Sequence, residues 1–163
     1  MCGIIGIVGK APVAERLIES LKRLEYRGYD SAGIAGVAGD RIERRRAKGK
    51  IKALEAVVDG EPLNATTGIG HTRWATHGAP NVQNAHPHTA GRVTLVHNGI
   101  IENFAELKAE LAAAGRTFSS DTDTEVIAHL IDAELATGLP PLEAFKATLD
   151  RLTGAYALAV LIE

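Results

Sequence analysis

The chain contains a single cysteine, Cys2, so no intrachain disulfide can form, and a reducing, cytoplasmic setting is the expectation. Long apolar runs are missing as well. The longest, Ala155 to Ile162, has eight residues. A membrane-spanning helix needs ~20, so no membrane partner is expected. No sign of charge dominates either: 18 Lys and Arg against 20 Asp and Glu leave a net charge of −2, which gives no electrostatic footprint for a nucleic acid. The amino terminus has no cationic segment ahead of its apolar stretch, which ends at Gly9, so it does not read as a secretory signal. What is present is ordinary for a globular chain. Hydrophobic residues make up 45% and charged residues 23% of the 163 positions, which excludes a disordered, collagen-like or coiled-coil chain and suits one domain, residues 1–163.

Apolar spacing predicts the elements in turn. Cys2 to Val8 reads as a buried strand, and Pro12 to Leu24 as an amphipathic helix with Leu17, Ile18 and Leu21 on one face. Glu25 to Gly33 is rich in turn formers. Ile34 to Ala38 and Arg41 to Arg46 flank Gly39-Asp40 in the manner of a two-residue hairpin. A helix is expected over 50–59 and a strand over 68–75, followed by a long loop over 76–89 without period, then a strand over 93–98. Asn103 with Glu106, and Thr122 with Glu125, have the spacing of capping boxes opening two helices. Pro140-Pro141 opens another, with Leu142, Phe145, Leu149 and Leu152 facing inward, before a closing strand over 155–162. Runs of strands and runs of helices favour a layered α+β sandwich.

Several residues carry chemistry. Removal of Met1 would leave Cys2 with a thiol and a free α-amine on one residue, so the amine, of pKa about 7.7–8.0, could take the thiol proton near neutral pH. A small buried strand residue is the alternative reading. In His97-Asn98-Gly99, an Asn carboxamide beside a Gly N–H is a reasonable pair of donors to a developing oxyanion, although Asn-Gly is also a hairpin turn signal. Arg73 suits a planar carboxylate, or else a surface ion pair. Trp74 is core or lid, and Asp123 complements a helix dipole or holds a ligand ammonium group. Five of the six histidines fall within 27 residues, yet their spacing is not that of a metal site, and neither a metal nor a cofactor is expected. Arg41 to Lys52 holds seven Lys or Arg in twelve residues without interleaved aromatics, which reads as a solvated face. Neither the Gly3, Gly6, Gly9 series nor Gly68-Ile69-Gly70 makes a phosphate-binding loop.

Taken together, six segments resemble the amino-terminal glutaminase domains of class II glutamine amidotransferases, which are N-terminal-nucleophile hydrolases. They are Met-Cys-Gly-Ile-Ile-Gly at 1–6, Tyr-Arg-Gly-Tyr-Asp-Ser-Ala-Gly at 26–33, His-Thr-Arg-Trp-Ala-Thr-His-Gly at 71–78, Asn-Ala-His-Pro-His at 84–88, His-Asn-Gly-Ile-Ile-Glu-Asn at 97–103 and Ser-Asp-Thr-Asp-Thr-Glu at 120–125. The resemblance implies a four-layer αββα sandwich, shortened at its C-terminal end, with Cys2 at the start of a central strand. It implies Cys2 as nucleophile, Asn98 and Gly99 as the oxyanion hole, and Arg73 and Asp123 as holders of the α-carboxylate and α-ammonium of L-glutamine. Thr76 and His77 would line the same pocket, with Trp74 in a loop that closes over it. Tyr26, Tyr29 and the 73–78 string look like the sugar-phosphate branch, in which an isomerase half, absent from this chain, binds fructose 6-phosphate. The glutaminase half of another class II amidotransferase, or an inactive glutamine-binding fragment, are the alternatives. Sheet edges left uncovered could pair two copies as a homodimer.

Overall fold

The computed structural model describes residues 2–75 and 78–163. The interior consists of two antiparallel sheets. In the first, β1 (Gly3–Val8), β4 (Thr67–Arg73), β2 (Ser31–Ala38) and β3 (Arg41–Lys48) lie side by side in that order. The second sheet orders β5 (His88–Ala90), β6 (Val93–Gly99) and β7 (Tyr156–Ile162). Helices α1 (Ala14–Lys22) and α2 (Ile51–Gly60) cover the first sheet, packing Leu17, Leu21, Ile51 and Leu54 against Ile34. Helices α3 (Phe104–Ala113), α4 (Thr124–Ala136) and α5 (Pro141–Leu149) cover the second, with Ile127, Leu130 and Ile131 against Val93 and Leu95. Each fully buried Leu or Ile contributes roughly 1.5–3 kcal/mol through the apolar area it removes from water. The sheets meet through Ile4, Ala35, Ile69, Val96 and Leu161. The layers therefore run helix, sheet, sheet, helix, as expected. No helix among the described residues is long and apolar enough to cross a membrane.

Gly68 and Gly70 serve this packing. A Cβ on Gly68 would sit 3.0 Å from Leu17 and 3.1 Å from Val13, and one on Gly70 would sit 3.3 Å from Leu21. The small residues let α1 lie close on β4.

Several expectations are corrected. Among the described residues β1 pairs only with β4, so the strand after Cys2 lies at a sheet edge rather than at the centre, and its half-exposed residues match that position. β2 begins three residues earlier than expected, at Ser31, because β4 and β3 pair with it from there. The long loop folds inward: Asn84 to His88 are buried, and His88 opens β5. Asn103 is the N-cap residue of α3, as expected, but its side chain makes no capping hydrogen bond. Its carboxamide instead donates to the Arg151 carbonyl at 2.9 Å and accepts from the Thr153 N–H at 3.0 Å, which ties the start of α3 to the turn before β7. Thr122 does not cap α4, whose N-cap is Asp123. Thr122 is hydrogen-bonded to Ser120 and His88, while Glu125 reaches back to the N–H groups of Ser119 and Ser120. Leu142 is 61% exposed, since α5 turns Ala144 and Thr148 inward.

Arg41, Lys48, Lys50 and Lys52 are exposed as a solvated face would be, but Arg44, Arg45 and Arg46 are not. Arg44 donates to the Pro87 carbonyl at 3.3 Å, Arg46 to those of Gln83 and Ala85 at 3.1 and 2.9 Å, and Arg45 to those of Glu61 and Pro62. Arg44 and Arg46 bind the buried loop to the first sheet through its backbone, and Arg45 ties down the segment after α2.

Candidate active site

Strand alternation aims the site residues. Side chains two apart share a face, so Cys2 points with Ile4, His71 and Arg73 with Ile69, and Asn98 with Val96, all toward the gap between the sheets. Antiparallel pairing of Gly3 with Thr72 brings the start of β1 beside the end of β4. Asp123 arrives from the start of α4. Cys2, Arg73, Asn98 and Asp123 line one cleft of about 440 Å³, together with Trp74, Gly99, Thr122 and Thr124. The sequence-based candidates Cys2, Arg73, Trp74, Asn98, Gly99 and Asp123 thus converge. Thr76 and His77 lie outside the described residues.

Cys2 is half-buried, and its Sγ accepts from the Trp74 N–H at 3.3 Å. The Arg73 guanidinium is buried, which is not how a surface ion pair sits. It donates to the carbonyls of Gly78 and Ala79 at 3.3 and 3.4 Å and lies 3.8 Å from Asp30. Asp123, 5% exposed, accepts the Ile101 N–H at 3.0 Å, and its other oxygen is 3.8 Å from His97 Nδ1. Trp74 is 54% exposed, so it is not a core residue. Asn98-Gly99 ends β6 opposite Ala157 and Tyr156 of β7 rather than forming a two-residue hairpin.

Sequence reasoning passed over two supports. Asp30 accepts the Ala75 N–H while its own N–H donates to the Arg73 carbonyl at 2.7 Å, so it holds the end of β4 in place. The only signal for it was its place in the 26–33 segment. His86, which lines the cleft, stacks on His71 with centroids 4.0 Å apart and 12° between planes, and the His88 ring meets His86 edge-on. Burial pushes His71 and His88 down to about 3, and His86 well below its ordinary value, so all three are neutral near pH 7. Glu125 goes the other way. Burial opposes its ionisation, but the neighbouring His129 and donors from Ser120 and Ser119 hold its carboxyl well below the ordinary range.

One cleft brings together a thiol, a buried guanidinium, a buried carboxyl and a carboxamide. Among the described residues no group of His, Cys, Asp and Glu is arranged to hold a metal ion. A layered αββα sandwich with a cysteine of this kind at its amino-terminal strand is the architecture of the N-terminal-nucleophile amidotransferases. A solved structure, glutamine phosphoribosylpyrophosphate amidotransferase from B. subtilis complexed with ADP and GMP, superposes with a TM-score of 0.83 at 28% identity, covering 99% of this chain and 35% of that one.

The family model for the glutamine amidotransferase domain matches residues 71–163, and the chain belongs to that family. A glutamine–fructose-6-phosphate aminotransferase (isomerizing) of Caulobacter vibrioides is 86% identical over all 163 residues, and one of Bradyrhizobium diazoefficiens is 62% identical over 158. The chain spans 27% and 26% of the lengths of these two relatives, against 100% and 97% of its own.

Proposed function

We propose that this chain hydrolyses L-glutamine to glutamate and ammonia, as the amide-donor half of the synthesis of glucosamine 6-phosphate from fructose 6-phosphate. The convergence of Cys2, Arg73, Asn98 and Asp123 on one cleft carries the reading. Arg73 and Asp123 present opposite charges to the α-carboxylate and α-ammonium of the amino acid, which leaves the side-chain amide to reach Cys2. Once Met1 is removed, the α-amine of Cys2 takes the thiol proton and the thiolate adds to the amide carbon. Asn98 Nδ2 and the Gly99 N–H meet the charge that gathers on the oxygen. The C–N bond then breaks, the leaving nitrogen takes up the proton held by the amine, and ammonia departs from a γ-glutamyl thioester. Water adds to the thioester, its proton passing to the amine, and the C–S bond breaks to give glutamate and regenerate the thiol. Thr76 and His77 complete the pocket in this reading, and Trp74 lies at its mouth as part of the cover over bound glutamine.

The aminotransferases named above favour fructose 6-phosphate as acceptor over phosphoribosyl pyrophosphate, since this chain is 86% identical to one of them and 28% to the phosphoribosyl-pyrophosphate enzyme. The acceptor is bound by an isomerase half outside these residues. Intact mass before and after incubation with a glutamine-analogue electrophile tests the glutaminase step. The expected result is loss of Met1 and one adduct, on Cys2, that excess glutamine prevents. An equal adduct on a Cys2→Ala variant, or full glutamine turnover by protein retaining Met1, overturns it.

A further inference from the structure

Across the gap between the sheets, the His71 ring of β4 reaches the end of β6. Its Nε2 lies 3.0 Å from the His97 carbonyl oxygen and 2.8 Å from the Asn98 carboxamide. A carbonyl oxygen only accepts, so Nε2 must carry the ring proton. An N–H in turn faces an acceptor, so the Asn98 atom beside it is Oδ1. The Asn98 Nδ2 is then directed away from His71, and Asn98 lines the cleft. The chemistry of the contact thus settles which way the amide points.

His71 is fully buried, and its Nδ1 has no hydrogen-bond partner among the described residues, so no second hydrogen bond holds the ring from behind. The stack does this instead. His86 lies parallel to His71 and is itself secured at both nitrogens: Nδ1 accepts the His97 N–H at 3.2 Å, and Nε2 lies 3.3 Å from the Thr124 hydroxyl. His71, His86, His97 and Thr124 therefore link β4, the buried loop, β6 and the first turn of α4. Burial keeps His71 neutral, so it adds no cation beside Arg73.

We infer that His71 is a positioning residue: its Nε2–H fixes the Asn98 carboxamide so that Nδ2 is aimed at the reacting oxygen before substrate arrives, and the stack on His86 fixes the ring. The inference rests on the reading of Asn98 as an oxyanion donor. His71 touches neither glutamine nor the thiol.

The test uses the whole chain. His71→Phe keeps a planar ring in the stack and removes the donor, whereas His71→Gln returns an N–H at similar reach. His71→Phe should lower kcat for glutamine roughly 10- to 100-fold with KM little changed, as expected of a misaimed donor. His71→Gln should recover most of the loss, and His71→Phe added to Asn98→Ala should cost nothing further. Equal losses in the Phe and Gln variants, a matching rise in KM, or losses that multiply in the double variant overturn the inference. Nitrogen-15 spectra of the side chains give a readout independent of turnover. They should show His71 as the Nε2–H tautomer, and an Asn98 NH₂ pair that shifts in His71→Phe and returns toward its parental position in His71→Gln. If the Phe variant does not fold, an Nδ1–H tautomer in the parent still overturns the inference. A parent without glutaminase activity but with these spectra refutes the proposed function and leaves the positioning geometry standing.

Discussion

The Trp74 N–H points at Cys2 Sγ from 3.3 Å, while the Trp74 carbonyl, 3.7 Å away, lies toward the thiol hydrogen. When the proton leaves, the N–H remains as a donor to the thiolate, so the backbone of one residue serves both forms of the sulfur. The indole of the same residue lies on Gly28, where an added Cβ would come within 2.7 Å of the ring and φ is +76°. Cys2, Trp74 and the 25–30 turn thus share one contact chain.

Gly28→Ala should disturb that chain without touching Cys2. The substitution strains a positive-φ, extended backbone that glycine alone adopts readily, by roughly 1–3 kcal/mol, and pushes the indole outward. Because Trp74 is the sole tryptophan, emission reads the result directly. A red shift is expected, and an unchanged spectrum would show that the ring does not rest on Gly28.

Arg73→Lys keeps the positive charge but loses the planar fork that reaches both the Gly78 and Ala79 carbonyls while facing the cleft. Glutamine affinity should fall about tenfold or more, equivalent to ~1.4 kcal/mol, in calorimetry on a Cys2→Ala background. Parental affinity in the Lys variant would remove Arg73 from the carboxylate site.

The layers and most element positions were legible in the chain because each amphipathic segment buries one face against a sheet, and that face leaves a period in the residues. Leu17 and Leu21 on α1, and Val126, Ile127, Leu130 and Ile131 on α4, are buried as their spacing implies. The site candidates were legible for a different reason. Cys2, Arg73, Asn98 and Asp123 carry functional groups whose types alone suggested roles, and the resemblance joined them. What escaped depends on long-range partners that leave no local pattern. The Arg46 side chain lies along the backbone of a loop 37 and 39 residues away, and His71 meets Asn98 27 residues on. Asn103 has the spacing of a cap, but its carboxamide is taken by the 151–153 turn, a tertiary contact that outcompetes the local one.

Arg46→Ala separates a structural clamp from a solvated cation. Removing it leaves the Gln83 and Ala85 carbonyls without this donor, at an expected cost of about 1–3 kcal/mol. For a chain of this size each kcal/mol lowers Tm by roughly 2–4 °C. A change below about 0.5 kcal/mol is what a solvated arginine gives.

Acid should destabilise the fold earlier than carboxylate chemistry predicts. In the unfolded chain His71 and His88 take up protons near 6.5, but in the folded one only near 3, with His86 displaced in the same direction. Between those values the unfolded state binds more protons, so stability falls as pH falls, by at most about 1.4 kcal/mol per histidine per pH unit. Glu125, whose folded value is depressed, adds a further loss only below its ordinary value of 4.5. Urea midpoints at pH 7.5, 6.5 and 5.5 decide the matter. A flat response down to pH 5.5 would mean that the histidines are protonated in the folded state.

Asn98 and Gly99 are neighbours that should fail in opposite ways. Asn98 is partly exposed at the cleft, and its Oδ1 is occupied by His71, so Asn98→Ala removes a donor that matters once negative charge develops on the substrate oxygen. It should lower kcat by ~10²–10³, or about 2.7–4 kcal/mol of transition-state stabilisation, with KM nearly unchanged. Gly99 has φ of +121°, and a Cβ there would run into the Ala155 carbonyl and come within 2.8 Å of Tyr156 Cα, both on the rigid approach to β7. Neither obstacle is a flexible side chain, so Gly99→Ala must shift backbone in the β6–β7 pairing. Strain of this kind costs roughly 1–3 kcal/mol, and its main effect should be on stability. Measuring kcat, KM and the urea midpoint on the same preparations of both variants distinguishes them. If Asn98→Ala instead lowers the midpoint as far as Gly99→Ala does while its folded fraction turns over glutamine normally, Asn98 only ends a strand, and the oxyanion donor must be sought elsewhere in the cleft.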